Sequence, residues 1–257
     1  ALAVGFQHTR NRKKYLLRLY LANVGMVFFN QIMCMLQRKL DYVAYQPKNH
    51  NIFTTLFCAG VLICIWENRK EKKKFFTYIG IYIFWQAMVM GLAILAEAFD
   101  YVWRGNALLQ TVLRTNYIFP LLGGIWDAEG GVFFIVLGVW LYCAVENKWK
   151  LALRYILFCG AYMFMCQGDI LYRIMSRFSF WGYHKLADVI YFGSSFVGIP
   201  LGTSDLSLLT EFYQWMMIGA LPIMLSCNGK RGKSLKWLFY AAYPLQFLVL
   251  YGISYYK

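Results

Sequence analysis

A chain of 257 residues that is 60% hydrophobic, 19% aromatic and only 15% charged is too apolar for a water-soluble globular domain, and its mean hydropathy is +0.46. The formal charge of +14 argues for no nucleic acid partner, because the cations sit in short loops between apolar runs instead of in a separate basic domain. The seven cysteines (Cys34, Cys58, Cys64, Cys143, Cys159, Cys166 and Cys227) make no CxxC and no Cys/His metal spacing, which predicts packed free thiols and no metal site.

The chain opens in mid-helix at "ALAVGFQ", without an initiator Met or a charged leader, so one or more helices are expected to precede Ala1. A helix should end near residue 7. Apolar runs then occupy 15–37, 51–66, 75–98, 132–145, 151–169, 206–227 and 235–255. Several reach the ~20 residues that cross a bilayer core as helix. They lack period-2 alternation, and in hydrocarbon a long unbroken run satisfies its backbone only as helix. The expected fold is therefore all-α. Residues 1–257 should form a single polytopic helical membrane bundle of about eight transmembrane helices, plus outer re-entrant or interfacial helices.

Basic clusters punctuate these runs: Arg10, Arg12, Lys13 and Lys14; Arg69, Lys70, Lys72, Lys73 and Lys74; Lys148, Lys150 and Arg154; and Lys230, Arg231, Lys233 and Lys236. The positive-inside rule places all four in the cytoplasm. An even number of crossings must then separate loop 67–74 from loop 146–150. Three apolar stretches lie between them, and the misfit is 107–126, with Arg114, Asn116, Pro120 and Gly123–Gly124. It is expected to be re-entrant or interfacial on the outer side. Residues 170–204, broken by "SRFSFWGYHK" and Gly198–Pro200, should likewise stay outside or dip in without crossing.

Polar residues recur inside the apolar runs. Asn23, Asn30 and Gln37 are seven apart and share a helix face. Asn51, Thr54, Thr55 and Cys58 form a second stripe, Gln86 and Glu97 a third, and Ser207, Glu211 and Gln214 a fourth. Such groups usually face a bundle interior. Two readings remain open: a polar cavity at the centre, or interhelical hydrogen bonds that only hold the helices together.

Four segments carry a more specific pattern. "GFQHTRNRKKYLLRL" near the start and "NGKRGKSLKWLFYAAYPLQFLVLYGI" at the end resemble the two signature segments of the TraX family, membrane proteins related to the conjugative pilin N-acetylase. "NIFTTLFCAG" (51–60) is similar to that family's Asn-x-Phe-x-Thr-Leu helix start, and "WDAEGGVFFIVL" (126–137) to its Asp-Tyr-Gly turn. The resemblance implies a bacterial cytoplasmic-membrane acetyltransferase, with acetyl-CoA as donor and an amine or hydroxyl of a peptide or surface glycan as acceptor. Membrane lipid and possible membrane complex partners complete the set.

Acetyl transfer to an amine needs a general base, donors for a developing oxyanion, and cations for the phosphates of coenzyme A. The candidates are His8, Asn51 and Asp127 for catalysis, and Arg10, Arg12, Lys13, Lys230 and Arg231 for the cofactor. Each has a plainer role open to it. The cations are needed for topology, His8 fits an interfacial loop, and His50 precedes a helix it could cap. His184 carries no motif. Asp127 and Glu129, in a Gly-rich turn, could cap the helix that follows. Two departures from the family pattern bear on activity. The family's Asp-His helix would lie before Ala1, and Gln246 stands in "YPLQ" where the family commonly has histidine; glutamine cannot shuttle a proton. Those departures leave a non-catalytic membrane subunit, scaffolding a secretion, conjugation or transport complex, as the alternative.

Overall fold

A computed structural model describes residues 2–39, 51–104, 117–126, 128–166, 177, 185–186, 188–190, 213–226 and 236–255. All regular structure among them is helical. The helices are α1 (Leu2–Gln7), α2 (Arg12–Lys39), α3 (Ile52–Glu67), α4 (Lys72–Arg104), α5 (Phe119–Leu121), α6 (Gly131–Tyr142), α7 (Lys148–Cys166), α8 (Leu221–Ser226) and α9 (Lys236–Tyr255). Short 3-10 turns cover Asn68–Lys70 and Tyr213–Ala220. Among the described residues, three segments are long and apolar enough to cross a membrane: Arg12–Met33, Ile52–Lys70 and Lys72–Ala96. Phe28, Ile32, Phe76, Ile83, Phe84 and Leu95 point outward from two of them. So much exposed apolar surface on long helices suits hydrocarbon and not water.

Most expected helices fall where their hydrophobic runs lie, with ends displaced by a few residues. α4 runs six residues beyond the expected end at 98. The run 206–227 differs more. Its described part begins as a 3-10 helix over Tyr213–Ala220 and becomes α-helical only at Leu221–Ser226. Pro222 lies at the change: it supplies no N–H and restricts the residue before it, which disfavours one continuous α-helix across this point.

The ends of the helices fix the bundle's polarity. Arg12, opening α2, is ion-paired with Glu67, closing α3. The Tyr142 hydroxyl, closing α6, donates to the same carboxylate. α4 starts five residues after Glu67, and α7 starts at Lys148. Three basic clusters therefore share one end of the bundle. α9 enters from that end too: Tyr240 lies by Tyr15 and Arg18, and Tyr243 is packed one turn deeper against Phe53.

From the basic end α4 climbs away, and α6 returns to it. Between them, residues 117–126 and 128–130 are described. The first stretch holds a single helical turn at Phe119–Leu121 and lies against the middle of α2 and α4. α6 begins at that depth, and so does α3. These two run parallel, about 18 and 24 Å long for 12 and 16 residues. α6 alone does not cover a hydrocarbon core of roughly 30 Å, whereas α3 with its 3-10 extension, Ile52–Lys70, is long enough to cross. Their close approach depends on Gly138, where a Cβ would come within 2.9 Å of the Ala59 Cβ. Small residues at a helix seam are how membrane helices gain van der Waals contact without a hydrophobic drive.

Gly123 is the pivot of the turn that follows α5. Its φ is 65°, and a Cβ there would meet the Phe57 ring at 2.8 Å. The ring can tilt, so the left-handed backbone dominates the cost. Gly123→Ala is expected to lower stability by about 1–2 kcal/mol, read as a fall in the unfolding midpoint in detergent. Gly80→Ala, where nothing lies within 4 Å of the added carbon, is the control and should not fall.

Candidate functional site

Polar residues of three helices meet at the turn of residues 120–129. Asn23 of α2 is fully buried, and its amide donates to the Pro120 carbonyl at 2.6 Å. Asn51, at the start of α3, donates to Asn23 Oδ1 at 2.7 Å, and Thr54 Oγ1 donates to the same oxygen at 2.8 Å. On α4, Gln86 Nε2 donates to the Gly123 carbonyl at 3.1 Å, while its Oε1 accepts from the Ile125 N–H at 2.9 Å. Tyr20 and Trp85 donate to the carbonyls of Leu121 and Leu122 at 2.8 and 2.9 Å. Thr55 donates to the Glu129 carbonyl at 2.8 Å, and Cys58 Sγ lies 3.5 Å from the Gly123 carbonyl.

The physical reason is plain. Irregular backbone at membrane depth has no water to bond, and each unsatisfied group costs several kcal/mol. Side chains of α2, α3 and α4 supply the missing partners. The stripes thus converge, as a shared cavity requires, but much of their hydrogen-bonding capacity goes to the backbone of 120–129. One acceptor stays unmatched. Asn51 Oδ1 is buried without a hydrogen-bond partner, and Asn51 makes no side-chain cap on α3.

Beside this clasp lies a half-buried acid. Glu129 occupies the turn before α6, whose cap residue Gly130 has a φ of 77°. Glu129 does not cap that helix with its side chain. Its carboxylate instead accepts the Tyr243 hydroxyl from α9. Phe53 closes the space, with ring centroids 5.7 Å from Tyr243 and 5.9 Å from Tyr240. Residues 51–60, 126–137 and the closing α9 segment, far apart in the chain, therefore meet at one place. Asn51 immediately precedes α3, four residues before Thr55, which bonds the Glu129 turn.

The sequence candidates are distributed otherwise. His8 is exposed at the basic end, just after α1. Asn51 is at the opposite end of α3, about 24 Å away along a helix of 16 residues. His8 and Asn51 are thus not brought together. Arg10 and Lys13 are exposed near His8, and Arg12 is engaged by Glu67 with its guanidinium over the Phe6 ring at 5.7 Å. Gln246 is exposed on α9, one turn beyond Tyr243. Asp127, His50, His184, Lys230, Arg231, Ser207 and Glu211 lie outside the described residues, as do residues 107–116, most of 170–204, and the side chains of Gln37, Glu97 and Gln214.

Glu129 and Tyr243 were the residues that sequence reasoning undervalued. The one looked like a helix cap, and the other stood beside the more conspicuous Pro-Leu-Gln. The available signal was that both fall inside the patterned segments. Comparison of the chain with family models, curated proteins and solved structures finds no match.

Proposed function

We propose that this chain is a TraX-like acyltransferase of the bacterial cytoplasmic membrane, built on about eight crossings, with its basic end in the cytoplasm. It moves an acetyl group from acetyl-CoA to an amine or hydroxyl of a peptide or surface glycan. The observation that carries this reading is the meeting of three patterned segments around the Glu129 carboxylate and Tyr243. An ionisable group held inside a membrane bundle is a functional candidate by default. Arg10, Lys13 and the neighbouring cations supply the attraction that coenzyme A phosphates need.

In this scheme an amine N–H is received by Asn51 Oδ1, and the nitrogen attacks the thioester carbonyl. Glu129 accepts the proton released from nitrogen and returns it to the departing thiolate, giving an amide and free coenzyme A. A carboxylate thereby performs the proton traffic that Gln246 cannot.

One observation favours the second reading, a non-catalytic membrane subunit that scaffolds a larger complex. The amides of Asn23 and Gln86 are spent on backbone, as structural glue would be. Two measurements on the purified full-length protein separate the readings: calorimetric titration with acetyl-CoA, and transfer of labelled acetyl to peptide and amino-sugar acceptors. The enzymatic reading expects saturable binding and label on an acceptor. No binding and no transfer, with co-purification in a fixed-stoichiometry assembly, would leave the scaffold.

A further inference from the structure

A groove follows the seam between α3 and α4, away from the Glu129 turn, with a volume of about 370 Å³. Val61, Cys64 and Ile65 form one wall and Ile81, Tyr82 and Trp85 the other, with Asn68 at its mouth. That volume lies within the range of small-molecule sites. The groove runs from Asn68 to Val61 on one helix and from Tyr78 to Trp85 on the other, seven residues or about 10 Å each. Tyr82 presents its ring, while its hydroxyl is buried and turned inward beside Cys58. The groove therefore offers hydrocarbon and little else. The amides of a peptide or of a pantetheine arm would find almost no partners in it.

Its mouth has the opposite character. Asn68 opens the 3-10 turn Asn68–Lys70, which leads at once into Lys72–Lys74. The two acids nearby are already engaged, Glu71 by Lys74 at 2.7 Å and Glu67 by Arg12. Arg69 is held in place, with its guanidinium 5.2 Å from the Trp66 ring centroid and bonded to the Trp66 carbonyl at 3.3 Å. Arg69, Lys70, Lys72 and Lys73 are exposed and make no ion pair with a described carboxylate. An exposed tryptophan stacked under arginine is the usual furniture of a headgroup layer.

We propose that this groove holds one acyl chain of an anionic phospholipid, with its phosphate received by the basic turn at Arg69, Lys70, Lys72 and Lys73. The apolar walls select a chain, and the cationic mouth selects a negative headgroup over a zwitterionic one. The inference is independent of the acyltransferase reading.

The test uses the full-length protein in phosphatidylcholine nanodiscs carrying a phosphatidylglycerol with a diazirine in one acyl chain. After photolysis, adducts are mapped by peptide mass spectrometry. Adducts should concentrate on 61–68 and 78–85, and unlabelled phosphatidylglycerol should compete where phosphatidylcholine does not. Each cation near a membrane surface is worth about fivefold in anionic-lipid affinity. Arg69→Gln/Lys72→Gln/Lys73→Gln, all surface changes, should therefore cut seam labelling at least that much, and Val61→Trp should block the groove. Even labelling across lipid-facing Phe28, Ile83 and Phe84, equal yield from a phosphatidylcholine probe, or unchanged labelling of the triple variant would each overturn the proposal.

Discussion

For the acyltransferase proposed above, Glu129→Gln is expected to lower acetyl transfer steeply while leaving the fold intact. The amide matches the carboxylate in shape and can still accept the Tyr243 hydroxyl, so helix α9 keeps its anchor. What it loses is the ability to take and return a proton. General acid–base catalysis contributes roughly 10²–10⁴ in rate, and the loss should fall in that range. Acetyl-CoA binding, resting on distant cations, should change little. Tyr243→Phe should give a smaller defect, because the carboxylate persists with one hydrogen bond fewer. The measurement is turnover of labelled acetyl for wild type and both variants, alongside acetyl-CoA titration. A Glu129→Gln protein that turns over as well as wild type would remove the carboxylate from the chemistry.

The second large effect concerns Asn23. Asn23→Leu leaves the Pro120 carbonyl without its donor and takes away the oxygen that receives both Asn51 and Thr54. Two magnitudes compete. A single interhelical hydrogen bond in a bilayer averages about 0.6 kcal/mol, since the unfolded chain finds other partners in the membrane. A buried polar group stranded by deletion of its partner costs about 1–3 kcal/mol. Here several groups are stranded together, and Asn51 keeps only a 3.2 Å bond to the Asn23 backbone. The second effect wins, and about 2–4 kcal/mol is expected. Thr55→Val, which frees only the Glu129 carbonyl, should cost about 1 kcal/mol by the same reasoning. Unfolding midpoints in a titrated denaturing detergent would rank the two. Equal values would mean that the Asn23 cluster is not cooperative.

Much of the helical layout was legible because charge and hydropathy act over whole segments. Lys and Arg clusters mark where the apolar runs end, while the expectation that 107–126 does not cross falls half outside the described residues. Regularity along a helix also put Asn23 on a shared face. The identity of its partner was not legible. An amide inside an apolar run announces a hydrogen bond, and that bond can be made equally well to a solute or to a carbonyl of the same chain. Only the path of Pro120–Gly124 decides between them, and that path depends on long-range packing against Phe57 and Val89. Glu129 was hidden for a related reason. Local sequence offered a nearby helix start, while its real partner lies 114 positions away on α9.

The order in which these partners are made has a consequence for synthesis. A ribosome completes α2, α3 and α4 before the turn at residues 120–126 exists, so the donors that hold its carbonyls are already in place when it arrives. The Glu129 carboxylate has no such luck; Tyr243 is translated 114 residues after it. Until then the nascent bundle carries an acid in an oily interior without its hydroxyl partner. Messages cut short before α9 should therefore yield polypeptides that membrane quality-control proteases recognise, even though α2, α3, α4 and α6 are present.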